Sequence, residues 1–268
     1  MKSLDNPLSY KADAFVLDVS NVPTNKAAGA RSAVAAAIEP LARKGKQVFV
    51  HVNPIATGMS RDDIDAVITT HLSGISVGHV ESSHDVFDYG SIIKEMEEKR
   101  GIPTGHIKVI PWLETARGIA RAFEICGSSP RVTAVVFGGE TFIRTMSVPD
   151  SSEPALSFAW SSVAVAANAS DIVSFDGPST NANLDIAISS ASRSGLSGKL
   201  ALSPGQIEPI NKAFSPSDAD INRARQVVAA YEEAERKDTA GAYVNGELAD
   251  ISAVRRARRL IAMSERIR

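Results

Sequence analysis

The chain has 268 residues, 44% of them hydrophobic, and a formal net charge of -2 at pH 7 with a pI near 6.2. This length suits one large α/β domain or two small ones, and the charge argues against a nucleic-acid or anionic-membrane surface. The single cysteine, Cys126, excludes an internal disulfide framework, and no apolar run is long enough to span a membrane or forms an N-terminal signal. We therefore expect a cytoplasmic protein with no nucleic-acid or membrane partner.

Seven apolar runs alternate with helical patterns over the first two hundred residues. The predicted strands are ADAFVLD, QVFVHVNP, GISVGHVES, Ile107–Leu113, Thr133–Phe137, DIVSFDGP and GKLALSP. The predicted helices include Thr24–Leu41, Thr115–Cys126, 154–168 and 184–195. A spacing of roughly 25–35 residues is that of a βαβ unit, and near-continuous apolar strands favour a TIM-like (β/α)8 barrel, with an open doubly wound sheet as the alternative. No G-x-G-x-x-G or P-loop follows a strand, which removes the usual nucleotide-binding variants.

The character of the sequence changes near its last sixty residues. We predict a barrel domain over 1–208 and a C-terminal arm over 209–268. The arm reads as a helix capped by Ser217, a hairpin turning at Asn245-Gly246 and a final basic helix.

Acidic residues end several of the predicted strands. Glu114 follows the fourth strand and Glu140 follows the fifth, so both are expected near the pocket that parallel strands form at their carboxyl ends. Two carboxylates there suit a divalent cation with oxygen ligands, although such acids also cap the next helix. The same two interpretations stay open for Asp18 and Asp176, which end the first and sixth strands.

Short motifs follow one another between Ala12 and Leu260. They are Asp13-Ala-Phe-Val-Leu-Asp18, Val50-His-Val-Asn53, Val80-Glu-Ser82, Leu113-Glu-Thr-Ala-Arg-Gly118, Phe137-Gly-Gly-Glu140, Phe175-Asp-Gly-Pro178 and Ser203-Pro-Gly-Gln-Ile207. In order and spacing they resemble the citrate lyase β-subunit-like branch of the HpcH/HpaI aldolase/citrate lyase superfamily. The resemblance implies a (β/α)8 barrel that binds Mg2+ and cleaves or forms a carbon–carbon bond in an acyl-CoA thioester, such as citryl-CoA or malyl-CoA, or in a keto or hydroxy acid.

The resemblance also assigns expected roles to individual positions. Metal binding falls to Glu114 with Glu140, and catalysis to Glu114, Asp18 and Asp176. The expected substrate-binding residues are His51, Asn53, His79, Gly138, Gly139 and Pro178. The C-terminal arm is similar to one that lies over a neighbouring subunit, which implies a homo-oligomer, a trimer or a multiple of it.

Several positions depart from the family pattern. Thr141 stands where a second metal-binding aspartate is usual, His51 and His79 replace an arginine and a lysine, Ser20-Asn21 replaces an acidic pair, and Ser203 replaces a histidine. The family's first strand, with its arginine, has no counterpart, and an in-frame extension before Met1 would restore it. Three hypotheses stay open: an altered Mg2+ lyase, an enzyme holding Zn2+ or Fe2+ through His51, His79 and Glu114, and a catalytically degenerate barrel kept as a binding or assembly subunit.

Overall fold

The computed structural model describes residues 10–147, 153–180, 184–237 and 242–267. The chain divides into two compact units, Met1–Ile210 and Asn211–Arg268. In the described ranges no helix is long and apolar enough to cross a membrane.

The first unit is built on a parallel sheet of seven strands. They are β1 Ala14–Asp18, β2 Gln47–Val52, β3 Gly74–Val77, β4 Lys108–Leu113, β5 Ala134–Phe137, β6 Val173–Asp176 and β7 Gly198–Lys199. Each strand pairs in parallel with the next one in the sequence, so the strand order never reverses. Right-handed crossovers then place every helix on one face, which curls the sheet as in a barrel wall and excludes the doubly wound alternative. The seven strands are confirmed, whereas β1 and β7 are not paired with each other in the described residues and closure into an eight-stranded barrel stays a prediction.

Nine helices of the described chain connect or follow these strands. They are α1 Thr24–Ala42, α2 Ser60–Val67, α3 Ser83–Arg100, α4 Ala116–Ala120, α5 Ala122–Cys126, α6 Gly139–Met146, α7 Glu153–Ala169, α8 Leu184–Arg193 and α9 Ile207–Phe214. The helix predicted over Thr115–Cys126 is two helices, because Arg121 leaves the helical region at φ -108° and ψ 15°. Elsewhere local chemistry sets the ends: Ser82 and Asp85 form a capping box that starts α3, and Gly101 ends it in the left-handed conformation.

The central strands β3 and β5 are buried on both faces, as is usual for a parallel sheet, whereas Val16 on β1 and Val173 on β6 are exposed. The inner face carries a cluster of Phe49, Ile110, Ala134 and Val136, against which Ala14, Trp112, Phe175 and Leu200 pack. Side chains alternate between faces along a strand, so the positions that continue this face toward the carboxyl ends include His51 on β2 and Glu114 just after β4. The inner apolar cluster is therefore the floor beneath the polar residues at that edge.

The second unit is a small helical arm with one hairpin. It contains α10 Asp218–Arg236, β8 Ala242–Val244, β9 Glu247–Ala249 and α11 Ile251–Ile267. Ser217 and Asp220 form the capping box of α10, and Asn245 and Gly246 turn the hairpin with φ of 51° and 84°. The predicted helix start and the predicted turn are both confirmed.

Candidate functional site

A pocket of about 380 Å3 opens at the carboxyl ends of β1 to β5. Its lining residues are Ser20, Asn21, His51, Pro54, Gly78, His79, Glu114, Thr141 and Arg144. Each belongs to the end of one of these strands or to the segment that follows it. This is the edge at which a parallel sheet of this kind places its ligands.

The carboxylate of Glu114 is fixed on the wall of this pocket by two glycines. Glu114 is 8% exposed, and its Oε2 accepts a hydrogen bond of 2.8 Å from the backbone N–H of His79. A Cβ on Gly138 would lie 2.5 Å from Glu114 Cγ, and one on Gly78 would lie 3.2 Å from Oε2. The absence of both Cβ atoms leaves the space that the glutamate occupies, so its position is set by its neighbours.

His79 reaches Glu114 through an unusual backbone conformation. Its φ is 55°, in the left-handed region that residues other than glycine rarely adopt. The imidazole is more exposed than buried, and Nδ1 lies 3.8 Å from Glu114 Oε2. The shorter contact comes from the main chain, so the backbone N–H of His79 orients the carboxylate and its ring faces the opening.

His51 is held by a hydrogen-bonded chain that ends at Trp112. Trp112 Nε1–H donates to Ser76 Oγ over 2.5 Å, and His51 Nδ1 lies 3.1 Å from the same oxygen. Ser76 is buried, and its hydroxyl oxygen already accepts from Trp112. The hydroxyl proton of Ser76 is therefore donated to Nδ1 of His51, so the ring proton of His51 is on Nε2. Burial lowers the pKa of His51, the carboxylates of Asp18 and Glu114 oppose this, and His79 adds to it. His51 is therefore a neutral hydrogen-bond donor toward the pocket.

Arg144 is a pocket residue that sequence reasoning missed. It lies three residues after Thr141 on α6, a spacing that puts both on one helix face, and its Nη2 donates to Thr141 Oγ1 over 2.9 Å. In the described ranges its guanidinium makes no ion pair within 4.0 Å. The next residue, Thr145, donates to the backbone carbonyl of Glu114 over 3.3 Å, which ties α6 to this wall. The three-residue spacing of Thr141 and Arg144 was the sequence feature that could have predicted that both lie on the pocket side of α6.

Glu140 and Gly139 are not brought into the pocket lining. Glu140 is exposed and accepts hydrogen bonds from Thr180, 3.1 Å from its N–H and 3.0 Å from Oγ1. Because α6 begins at Gly139, successive side chains turn by about 100° and Thr141 is the one that enters the lining. The structure thus does not pair Glu140 with Glu114, as the metal prediction required.

Asp176, a predicted catalytic residue, is buried in an ion pair away from the lining residues. Its Oδ1 accepts from Trp160 Nε1 over 2.8 Å, and its Oδ2 lies 2.5 Å from Lys199 Nζ. Burial raises the pKa of Asp176, while the Lys199 ammonium and the Trp160 donor oppose that rise. These contacts tie β6 to α7 and β7.

The remaining predicted residues lie around the pocket with other partners. Asp18 is exposed at the end of β1, opposite His51 in the register, and accepts the N–H of Ser20 over 2.7 Å. Asn53 is buried, and its Nδ2 donates to Asp63 Oδ2 over 2.7 Å, so it braces the loop after β2. Pro178 is partly buried in the loop after β6 and is not among the lining residues.

The donors of this pocket do not fit a divalent metal. Mg2+ takes oxygen ligands, carboxylates above all, and among the described residues Glu114 is the one carboxylate of the lining. The guanidinium of Arg144 bonds to Thr141 on the same wall, so a second cation would meet a positive charge there. In the part of the chain that the structure describes, no group of three His, Cys, Asp or Glu is placed to hold a metal. The expected Zn2+ or Fe2+ set of His51, His79 and Glu114 is therefore not formed.

Comparison with known proteins identifies the family. The family model "HpcH/HpaI aldolase/citrate lyase" matches residues 2–202, and the chain belongs to this family. The chain is 29% identical over 261 residues to the citrate lyase subunit beta of Haemophilus influenzae, covering 95% of this chain and 90% of that one.

Two solved structures share the fold. A citrate lyase from Burkholderia xenovorans matches with a TM-score of 0.81 at 20% identity, covering 94% of this chain and 83% of that one. The protein CitE from Mycobacterium tuberculosis, in complex with magnesium, acetoacetate and coenzyme A, matches with a TM-score of 0.73 at 22% identity, covering 95% and 91%.

Proposed function

We propose that this protein is a carbon–carbon lyase of the citrate lyase β class that acts on a hydroxy acid or its CoA thioester. The observation that carries the proposal is the position of Glu114, fixed at the carboxyl end of β4 between Gly78 and Gly138 on a pocket wall. Support comes from the family match and from the citrate lyase subunit among the relatives. A pocket of about 380 Å3 suits the acid portion, since ligand pockets run from about 300 Å3 upward, and leaves the CoA portion outside.

The reaction needs a base and a donor, and the pocket offers both. Glu114 takes the proton of the substrate hydroxyl, the C–O bond becomes a carbonyl, and the adjacent carbon–carbon bond breaks. Its electron pair passes to the thioester as an enolate, whose oxygen accepts a hydrogen bond from His51 Nε2–H. The enolate carbon then takes the proton back from Glu114, which restores the carboxylate.

Turnover of two thioesters tests this proposal. Purified protein is incubated with citryl-CoA and with L-malyl-CoA, and acetyl-CoA release is followed by mass spectrometry. We expect release from at least one, with Glu114→Gln slower by about 10²- to 10⁴-fold, the range for a general base. Glu98→Gln, an exposed glutamate on α3, is the matched control and stays at the wild-type rate. Turnover by Glu114→Gln at the wild-type rate would refute the role of Glu114.

A second candidate function is a catalytically degenerate barrel that serves as a binding or assembly subunit. Thr141 in place of a second carboxylate, and Glu140 turned toward Thr180, favour it. It predicts no turnover of either thioester at any metal concentration, which the same assay measures. A dependence on Mg2+ is the remaining prediction for a metal, since a relative of the same fold is in complex with magnesium, and release that requires added Mg2+ would support it.

We also propose that the arm, 209–268, joins copies of the chain into a homo-oligomer, a trimer or a multiple of it. Three apolar side chains of the arm support this, since Tyr243 is 75% exposed, Ile251 56% and Leu248 49%. Light scattering on the wild type and on a Tyr243→Ser/Leu248→Ser variant tests it. Dissociation is the expected result, and an unchanged mass would place the contact elsewhere.

A further inference from the structure

The pocket holds two opposite charges on neighbouring elements. Glu114 provides the carboxylate at the end of β4, and Arg144 provides the guanidinium on α6. In the described ranges Arg144 has no carboxylate partner within 4.0 Å. The Glu114 carboxylate accepts a hydrogen bond there from one group, the backbone N–H of His79. One of the two lining histidines, His51, is neutral and donates.

We infer that Arg144 is the cation of this site and binds the carboxylate of a small hydroxy acid without a divalent metal. A guanidinium is permanently charged and carries a planar fork of donors that matches a carboxylate. Thr141, bonded to Nη2, fixes the side chain on the pocket face and leaves other N–H groups of the fork for the ligand. A metal ion would be repelled by this guanidinium, and among the described residues the lining offers it a single carboxylate.

The second charge specifies the rest of the ligand. A carboxylate such as Glu114 accepts hydrogen bonds, so the part of the ligand that faces it must donate. A hydroxyl group does so, whereas a second carboxylate would be repelled. The complementary ligand therefore carries a carboxylate and, a few bonds away, a hydroxyl. This inference rests on the proposed function only for the kind of ligand, since it concerns binding and not turnover.

Calorimetric binding of L-malate and succinate, which differ by the hydroxyl group, tests the inference. Both are titrated into the full-length protein in excess EDTA and again in Mg2+. We expect malate to bind equally in both buffers and succinate to bind more weakly. Arg144→Gln should weaken malate by about 10- to 100-fold, the effect of losing a hydrogen bond to a charged group, and Arg144→Lys by less. Arg121→Gln, an exposed arginine outside the lining, makes the same charge change and keeps the wild-type affinity.

The possible outcomes separate this inference from the proposed reaction. Malate binding that requires Mg2+, wild-type affinity in Arg144→Gln, or no malate binding in either buffer would each overturn the inference. Metal-free binding that depends on Arg144, in a protein that cleaves neither thioester, would uphold it and refute the proposed reaction. Cleavage that depends on Glu114, together with malate binding that requires Mg2+, would do the reverse. Circular dichroism of each variant confirms that the exposed substitution leaves the fold intact.

Discussion

The backbone N–H of His79 donates a hydrogen bond of 2.8 Å to Oε2 of Glu114, from a residue with φ of 55°. A left-handed conformation costs a residue with a Cβ about 1–2 kcal/mol. Such strain is found where the surrounding structure and the function of a site require it. Here the strained residue places a donor against the glutamate that the proposed reaction uses.

Replacement of His79 by glycine separates the main-chain role from the side-chain role. His79→Gly keeps the N–H and removes the strain, so we expect a free energy of unfolding within about 0.5 kcal/mol of wild type, because the relief offsets the greater freedom of the unfolded chain. Urea denaturation measures it. His84→Gly, at an exposed helical position of α3, should instead lose about 0.5–1 kcal/mol. A larger loss in His79→Gly than in His84→Gly would show that the imidazole matters more than the backbone.

Gly138→Ala tests whether the glycine makes room for Glu114. The new Cβ would lie 2.5 Å from Glu114 Cγ and 2.8 Å from Oε1, so the glutamate must move. We expect destabilisation of about 1–3 kcal/mol, the usual cost of overpacking, together with loss of malate binding. Gly29→Ala is the control, because its Cβ meets nothing within 4 Å and lies in α1, where alanine should stabilise by about 0.5–1 kcal/mol. Normal malate binding by Gly138→Ala would contradict the close packing.

The strand-end acids show how far the sequence predicts this site. The strand pattern correctly placed Glu114 at the carboxyl edge, because a buried run followed by a turn fixes where a parallel strand ends. The strand pattern did not predict whether the acid at a strand end points to the inner or the outer face of the sheet. Asp176 follows Phe175, which packs on the inner cluster, so alternation turns Asp176 outward to Trp160 on α7.

The residues around Glu114 were harder to predict, for a different reason. Arg144 enters the pocket through the direction of α6, and that direction depends on tertiary contacts such as Thr145 with the Glu114 carbonyl. The left-handed φ of His79 could not be predicted from the sequence, because only a small fraction of histidines adopt this conformation and tertiary contacts decide which ones do. Periodicity therefore predicts the strands and their ends, while tertiary contacts choose the members of the pocket.

The ion pair of Asp176 and Lys199 should stabilise the fold and leave ligand binding unchanged. Both side chains are buried, so Asp176→Asn leaves the Lys199 ammonium without its counter-charge and should cost about 3–5 kcal/mol. Removal of the exposed pair of Arg43 and Glu39 through Arg43→Gln should leave the unfolding midpoint unchanged. Malate affinity of the folded Asp176→Asn protein should equal that of wild type. A selective loss of affinity without loss of stability would return Asp176 to the catalytic residues.

The pH dependence of stability should reveal the neutral state of His51. Burial lowers its folded pKa below the unfolded value of 6.5, against the opposing charges of Asp18 and Glu114. As the pH falls below about 6.5, the unfolded chain therefore takes up a proton that the folded chain does not, and stability falls by up to about 1.4 kcal/mol per pH unit until the folded pKa is reached. Above about pH 6.5 both the folded and the unfolded chain have a neutral His51, so its contribution to stability is constant there.

Urea denaturation between about pH 5 and pH 8 measures this dependence as the difference between wild type and His51→Gln. The variant has no ring to protonate, so its stability should fall less steeply toward low pH than that of wild type. His84→Gln, which removes an exposed histidine, should follow the wild-type curve. Parallel curves would mean that folding leaves the pKa of His51 unshifted, which contradicts the prediction. If His51→Gln instead loses stability more steeply than wild type toward low pH, the folded pKa is raised and His51 is protonated in the folded protein near neutral pH. The imidazole would then be a second cation beside Arg144 and would bind the ligand carboxylate itself, instead of acting as the neutral donor to the enolate oxygen.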